Sequence, residues 1–242
     1  MKKENASLYW TVALYLALST ICVSANKLYP KYSDVEDTTV ENKLVGPIDD
    51  DRSSAESNGL VQQEQYKISN VAYYPCLNLP DSQTLARSHP IAVISGKADY
   101  RLTFDIIPTG YTYSWGSILH FTTINDLADF GSRSPALWFW PGTTRLFATI
   151  GDTTNFNWGL DTTDALPLNV RTAVTIECKG KDVKLIVGTR VYPGIQPTVR
   201  YAGNLIVYAS DPWYEAAKAS LYNIDYEILP TAAAAVNADE VE

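Results

Sequence analysis

Apolar and polar residues alternate with a period of two along several stretches of the chain. Tyr100-Arg-Leu102-Thr-Phe104-Asp-Ile106 alternates, and so do Val174-Thr-Ile176-Glu-Cys178 and Val183-Lys-Leu185-Ile-Val187. In Leu221-Tyr-Asn-Ile-Asp-Tyr-Glu-Ile228 the pattern puts Tyr222, Ile224, Tyr226 and Ile228 on one face and Asn223, Asp225 and Glu227 on the other. Successive strand side chains point to opposite sides, so one dry and one wet face at this period predicts antiparallel sheets. Further strands are expected over residues 91–95, 117–123, 136–140, 145–150 and 204–210. Turn signals separate them: Pro108-Thr-Gly110, Pro141-Gly142, Lys179-Gly-Lys-Asp182 and Pro193-Gly194. About ten short strands at this spacing predict an all-β fold, a two-sheet antiparallel jelly-roll sandwich. A long amphipathic helix is missing. One short helical turn is expected, with Asp211 as N-cap, Pro212 in the first position and Glu215-Ala-Ala-Lys218 behind them.

The two ends break the pattern. Lys2 and Lys3 precede an apolar run over residues 8–23, and Val23-Ser-Ala25 offers small residues for cleavage. Residues 1–25 are therefore expected to be a secretory signal peptide, leaving Asn26 as the new terminus. The run is shorter than the ~20 residues that span a bilayer, so no membrane span is expected after cleavage. Residues 26–65 are acidic, with Asp34, Glu36, Asp37, Glu41, Asp49, Asp50, Asp51, Glu56 and Glu64, and poor in large apolar residues. Such a segment buries too little to offset its ordering entropy, and a disordered arm or propeptide is expected. Residues 231–242 read as a second acidic tail. The sandwich is assigned to residues 66–230, within an extracellular protein.

The 242 residues are 46% hydrophobic, enough for one domain with its own core. The net charge of −8 argues against nucleic acid as a partner, which demands clustered Lys and Arg. With two histidines, a His-rich zinc site is not expected. Of the three cysteines, Cys22 lies in the signal peptide. Cys76 and Cys178 remain, and an oxidising compartment favours a disulfide between them. The alternative is a buried free thiol, because Cys178 shares the apolar face of its strand.

Residues 98–229 resemble the concanavalin A-like (laminin G-like) jelly rolls. The segments that carry the resemblance are Tyr100-Arg-Leu-Thr-Phe-Asp-Ile-Ile-Pro108, Trp115-Gly-Ser-Ile-Leu-His-Phe121, Pro135-Ala-Leu-Trp-Phe-Trp-Pro-Gly142 and Tyr208-Ala-Ser-Asp-Pro-Trp-Tyr214. The resemblance implies the sandwich fold. It leaves function open, since that superfamily holds lectins, adhesion modules and glycosidases alike.

Its glucanase branch carries clustered acids on one strand, spaced to flank a glycosidic bond. Here Glu177 stands alone, and Asp225 with Glu227 lacks a third acid. A Gly-x-Ser-x-Gly elbow is absent, and His120, between apolar neighbours, reads as a sheet histidine facing solvent or bonded to a neighbouring strand. The chain is therefore expected not to be an enzyme. No cofactor is expected, with calcium the one open candidate. Asp152, Asn155, Asp161 and Asp164 crowd oxygen ligands into one stretch without EF-hand spacing, and ordinary Asx turns are the competing account.

Carbohydrate is the stronger candidate. Sugar sites join an aromatic platform to Asn, Asp or Arg. Trp115, Trp138, Trp140, Trp158 and Trp213 are possible platforms; Trp138 and Trp140 share one parity, opposite Leu137 and Phe139. Trp158 is the preferred platform because Asn155, Asn157 and Asp161 surround it in sequence, with Arg133 and Asp129 as further polar contacts. Trp213 is expected to pack under its turn. The expected function is a secreted, non-catalytic lectin-like module that binds glycan or extracellular-matrix material. The alternatives are a structural component of a matrix, cell covering or mineral-associated layer, and a divergent carbohydrate-active enzyme.

Overall fold

The computed structural model of the chain describes residues 73–74, 76–123 and 129–230. The expected signal peptide (1–25), acidic arm (26–65) and tail (231–242) lie outside the described residues. The strands run in the order β1 (Tyr73–Tyr74), β2 (Leu77–Leu79), β3 (Gln83–Thr84), β4 (Pro90–Gly96), β5 (Tyr100–Pro108), β6 (Gly116–Thr122), β7 (Ala136–Phe139) and β8 (Arg145–Thr149). Then come β9 (Gly159–Ala165), β10 (Thr172–Lys179), β11 (Asp182–Val187), β12 (Arg190–Ile195), β13 (Gly203–Tyr208), β14 (Glu215–Ala216) and β15 (Ala219–Ile228).

They form two sheets. One has the order β1-β4-β13-β6-β7-β8-β9, with β14 beside β6; the other has the order β12-β11-β10-β5-β15-β2, with β3 beside β15. Pairing is antiparallel except for two short parallel contacts, β1 with β4 and β14 with β6. The described residues contain no helix. This is the two-sheet antiparallel jelly-roll sandwich that the period-two pattern predicts.

The core lies between the sheets. Tyr100, Leu102, Phe104 and Ile106 of β5 and Val174, Ile176 and Cys178 of β10 face Leu119, Phe121, Leu137, Phe139, Leu146 and Ala148 of the opposite sheet. Each large apolar side chain fully buried here contributes about 1.5–3 kcal/mol. The outer face of the β5–β10–β15 layer is polar. Arg101 bonds Glu177 and Glu227, Lys184 bonds Glu177, and Arg171 bonds Asp105.

The structure corrects several expectations. The Cys76–Cys178 disulfide is not formed: Cys178 is a free, fully buried thiol. β10 is separated from β2 by β5 and β15. Three ladder steps of ~4.8 Å put Cys178 about 14 Å from the chain beside β2, and a disulfide reaches only ~7 Å between Cα atoms. Burial pushes the Cys178 thiol up to about 11. The expected helical turn is absent, because Glu215 and Ala216 form β14 and pair with Gly116 and Ser117. Tyr222 points outward, under the Arg171 guanidinium, because the ladder slips between Tyr222 and Asp225. One extra residue there flips the face of everything before it, and Asn223 takes a positive φ of 52°. Pro193-Gly194 is not a turn but part of β12, and residues 159–165 form β9. Both are edge strands, where Pro, Gly and Asp are tolerated and the apolar signal is weak.

Candidate functional site

Strand alternation builds the site on the outer face of the β6–β9 sheet. Leu137 and Phe139 enter the core, so Trp138 must face outward. The ladder then sets side by side Ser117, Trp138, Phe147 and Asp161, one from each of β6, β7, β8 and β9. The next row is Tyr208, His120, Ala136, Thr149 and Gly159. Trp115 enters β6 and Trp140 leaves β7; their ring centroids are 4.3 Å apart, and Phe147 lies 5.6 and 5.7 Å from them.

A short strap crosses this face. Asp211, fully buried, accepts the N–H groups of Trp213 (3.0 Å) and Tyr214 (2.8 Å) on Oδ1. Oδ2 takes the Ser117 hydroxyl at 2.9 Å and lies 2.9 Å from His120 Nδ1. Burial pushes this carboxyl up, but the bond and charge of His120, the Tyr214 N–H and the Ser117 hydroxyl outweigh it, and the net shift is downward. The N-capping role expected of Asp211 is thus present without a helix behind it. His120 does not face solvent. It is fully buried, between Asp211 of the strap and the Ser132 carbonyl at 2.7 Å.

Between strap and sheet lies a pocket of about 250 Å³ lined by Trp115, Arg133, Trp138, Phe147, Asn157 and Tyr214. Tyr214 stands edge-on to Trp138 at 5.6 Å. The Arg133 guanidinium sits 5.0 Å above the Trp138 ring and bonds the side-chain oxygen of Asn157. Beside the pocket, Asp161 accepts the Trp140 indole N–H, and Arg145 lies over that ring at 5.5 Å.

Of the expected ligand-binding residues, the structure brings Arg133 and Asn157 into the pocket, with Asp161 at its margin. Trp158 packs partly buried against the core, its ring against Gly194 of β12, and does not line the pocket. Asn155 accepts the Asn157 N–H and shapes the turn, while Asp129 bonds Ser132 outside the pocket lining. The expected calcium residues are not gathered. Asp152 is buried and takes the Thr154 N–H and hydroxyl and the Asn155 N–H on one oxygen. Burial pushes its carboxyl up, but the hydroxyls of Thr198 and Thr154 and these N–H groups hold it at about 2. Asp164 pairs with Arg190, and Asp161 with Trp140. Among the described residues no three His, Cys, Asp or Glu side chains are grouped to hold a metal.

Sequence reasoning did not select Phe147 or Tyr214. The parity of Phe147, opposite Leu146 and Ala148, was the available signal for one. Nothing local marks Tyr214, because the strap that positions it depends on Ser117 and His120, more than ninety residues earlier.

No protein-family model matches the chain, and no curated protein sequence matches it. Among solved structures, domain 4 of an extracellular arabinanase from Geobacillus stearothermophilus, in complex with arabinotriose, is similar at 15% identity and a TM-score of 0.37. The match covers 54% of this chain and 61% of that one. The carbohydrate-binding module CBM66 from Bacillus subtilis matches at 12% identity and a TM-score of 0.36, over 54% of this chain and 76% of that one. A heptameric pentraxin from Limulus polyphemus matches at 11% identity and a TM-score of 0.39, over 63% and 76%.

Taken by itself, the site can do two things chemically. Its rings present flat apolar walls to C–H groups, and Asn157 and Arg133 present directed N–H donors at the rim. With the Asn157 oxygen engaged by Arg133, the amide NH₂ is the part of that side chain left to donate.

Proposed function

We propose that the chain is a secreted, non-catalytic lectin-like module that binds glycan in the pocket between the strap and the β6–β9 sheet. The observation that carries this reading is the pocket itself: four aromatic side chains as walls, with Asn157 and Arg133 at one side. One sugar ring is of the size that about 250 Å³ admits. Its C–H face stacks on an indole, and its hydroxyls accept from Asn157 and Arg133. Among the described residues the lining has no carboxylate, whereas glycoside hydrolysis in most families needs a pair of them across the bond. Secretion is supported by the sequence of residues 1–25.

The test is a glycan array on the full chain, followed by calorimetry with the best ligand. Trp115→Ala and Asn157→Ala should each weaken binding by about tenfold or more, as removal of a stacking ring or a directed hydrogen bond does. Both variants should keep the wild-type unfolding midpoint to within a few degrees. Unaltered affinity in both variants would overturn the assignment of this pocket, and turnover of the ligand by the purified chain would overturn the non-catalytic reading.

A further inference from the structure

His120 touches no ligand in the reading above, yet it lies directly beneath the pocket wall. Its ring is fully buried and stands edge-on to Trp138 at 5.5 Å and to Trp213 at 5.4 Å. Among the described residues, the groups that face it include Ser117 on its own strand, Tyr208 of β13, Trp138 of β7, Ser132 ahead of β7, and Asp211 and Trp213 of the strap. Of these, Asp211 is charged and Tyr208 titrates.

The hydrogen-bond arithmetic at the ring is restrictive. Nε2 lies 2.7 Å from the Ser132 carbonyl oxygen, which only accepts, so Nε2 carries a hydrogen. A neutral imidazole then has a bare Nδ1, and a bare Nδ1 needs a donor. What it meets at 2.9 Å is Asp211 Oδ2. Asp211 already receives the Ser117 hydroxyl and the N–H groups of Trp213 and Tyr214. Converging donors of this kind stabilise the carboxylate form. A carboxylate cannot donate, so Nδ1 carries a hydrogen as well.

We infer that His120 is held as an imidazolium, and that its buried ion pair with Asp211 pins the 211–214 strap and so positions the Tyr214 wall of the pocket. His120 and Asp211 are positioning residues here, and neither touches the ligand. Only the last link, from wall to binding, rests on the proposed function. The pair sits away from water, where an ion pair is strong while both partners are charged and costly once one of them is not. The strap is therefore secured while both partners of the pair are charged.

The chain has two histidines, His120 and the partly exposed His89, so nitrogen spectra can be assigned with one His89→Gln variant. Long-range ¹H–¹⁵N correlation on the full chain at pH 7 should show hydrogens on both His120 nitrogens. Asp211→Asn, which keeps the shape and removes the charge, should return His120 to one N–H and shift the Trp213 and Tyr214 ring signals. Affinity for the array-selected glycan should fall by about tenfold or more in that variant.

A single-tautomer neutral His120 in the wild type at pH 7 would overturn the inference. So would strap signals unchanged in Asp211→Asn. If that variant fails to fold, the wild-type spectra decide. If no glycan binds at all, the functional reading fails, and the spectra still decide the ion pair and the strap.

Discussion

Replacing Cys178 with alanine separates a packed thiol from a cross-link by magnitude alone. The sulfur is fully buried on the inner face of β10, opposite Tyr100 of β5. Removing one sulfur from a core loses its burial and leaves a cavity smaller than the one a Leu→Ala change makes. The expected cost is about 1–2 kcal/mol. A disulfide to Cys76 would instead close a loop of about 100 residues, and its loss would cost about 4–5 kcal/mol in the chain-entropy account. Urea unfolding of the full chain, followed by tryptophan fluorescence, resolves the two if the m-values agree. Thiol chemistry gives an independent reading. With the thiol held near 11, about one molecule in a thousand is thiolate at pH 8, and even that one is sealed from reagent. Iodoacetamide should leave Cys178 unlabelled in the native chain and label it in urea. A loss of 4 kcal/mol or more, or a non-reducing peptide map joining residues 76 and 178, would refute the reasoning.

Acid should reach Asp152 late, at a lower pH than an ordinary carboxylate. Its carboxyl is held near 2, below the ordinary value of 3.8, so its contribution is complete above about pH 4 and is lost as pH falls through 2. A depression of that size is worth about 2 kcal/mol. Asp152→Asn should flatten the fall of the melting temperature between pH 4 and 2, and an unchanged slope would refute the assignment. Arg200 binds Asp99, Gln196 and the carbonyls of Ala98 and Gly180 in a buried cluster. Arg200→Ala strands the Asp99 carboxylate and should cost about 3–5 kcal/mol in urea unfolding. Asp99→Asn in the same chain should recover part of that loss; a single-variant cost under 1 kcal/mol would show that water reaches the cluster.

Where the alternation is uninterrupted, the sequence predicted the strands well. β5 and β10 alternate between buried and half-buried as Tyr100-Arg-Leu-Thr-Phe and Val174-Thr-Ile-Glu-Cys require. Trp138 was readable as outward-facing by the same parity. The edge strands β9 and β12 were not legible, because an edge needs little apolar surface and β9 reads Gly-Leu-Asp-Thr-Thr-Asp-Ala. The slip in β15 was hidden because Tyr222 is amphipathic enough to lie on either face. In the site, Arg133 and Asn157 were reachable from local chemistry. Trp158 misled because polar neighbours in sequence do not set the direction of a ring; β12 covers it from elsewhere. The strap was out of reach, since a polar Asp211 becomes a core residue only once Ser117 and His120 stand opposite it.

Pro193 lies within β12, the outermost strand of its sheet. It supplies no N–H, so a foreign strand adding to that rim meets a gap in its hydrogen-bond row. Copies of the chain held close together therefore meet, at that rim, a strand that cannot complete a pairing ladder.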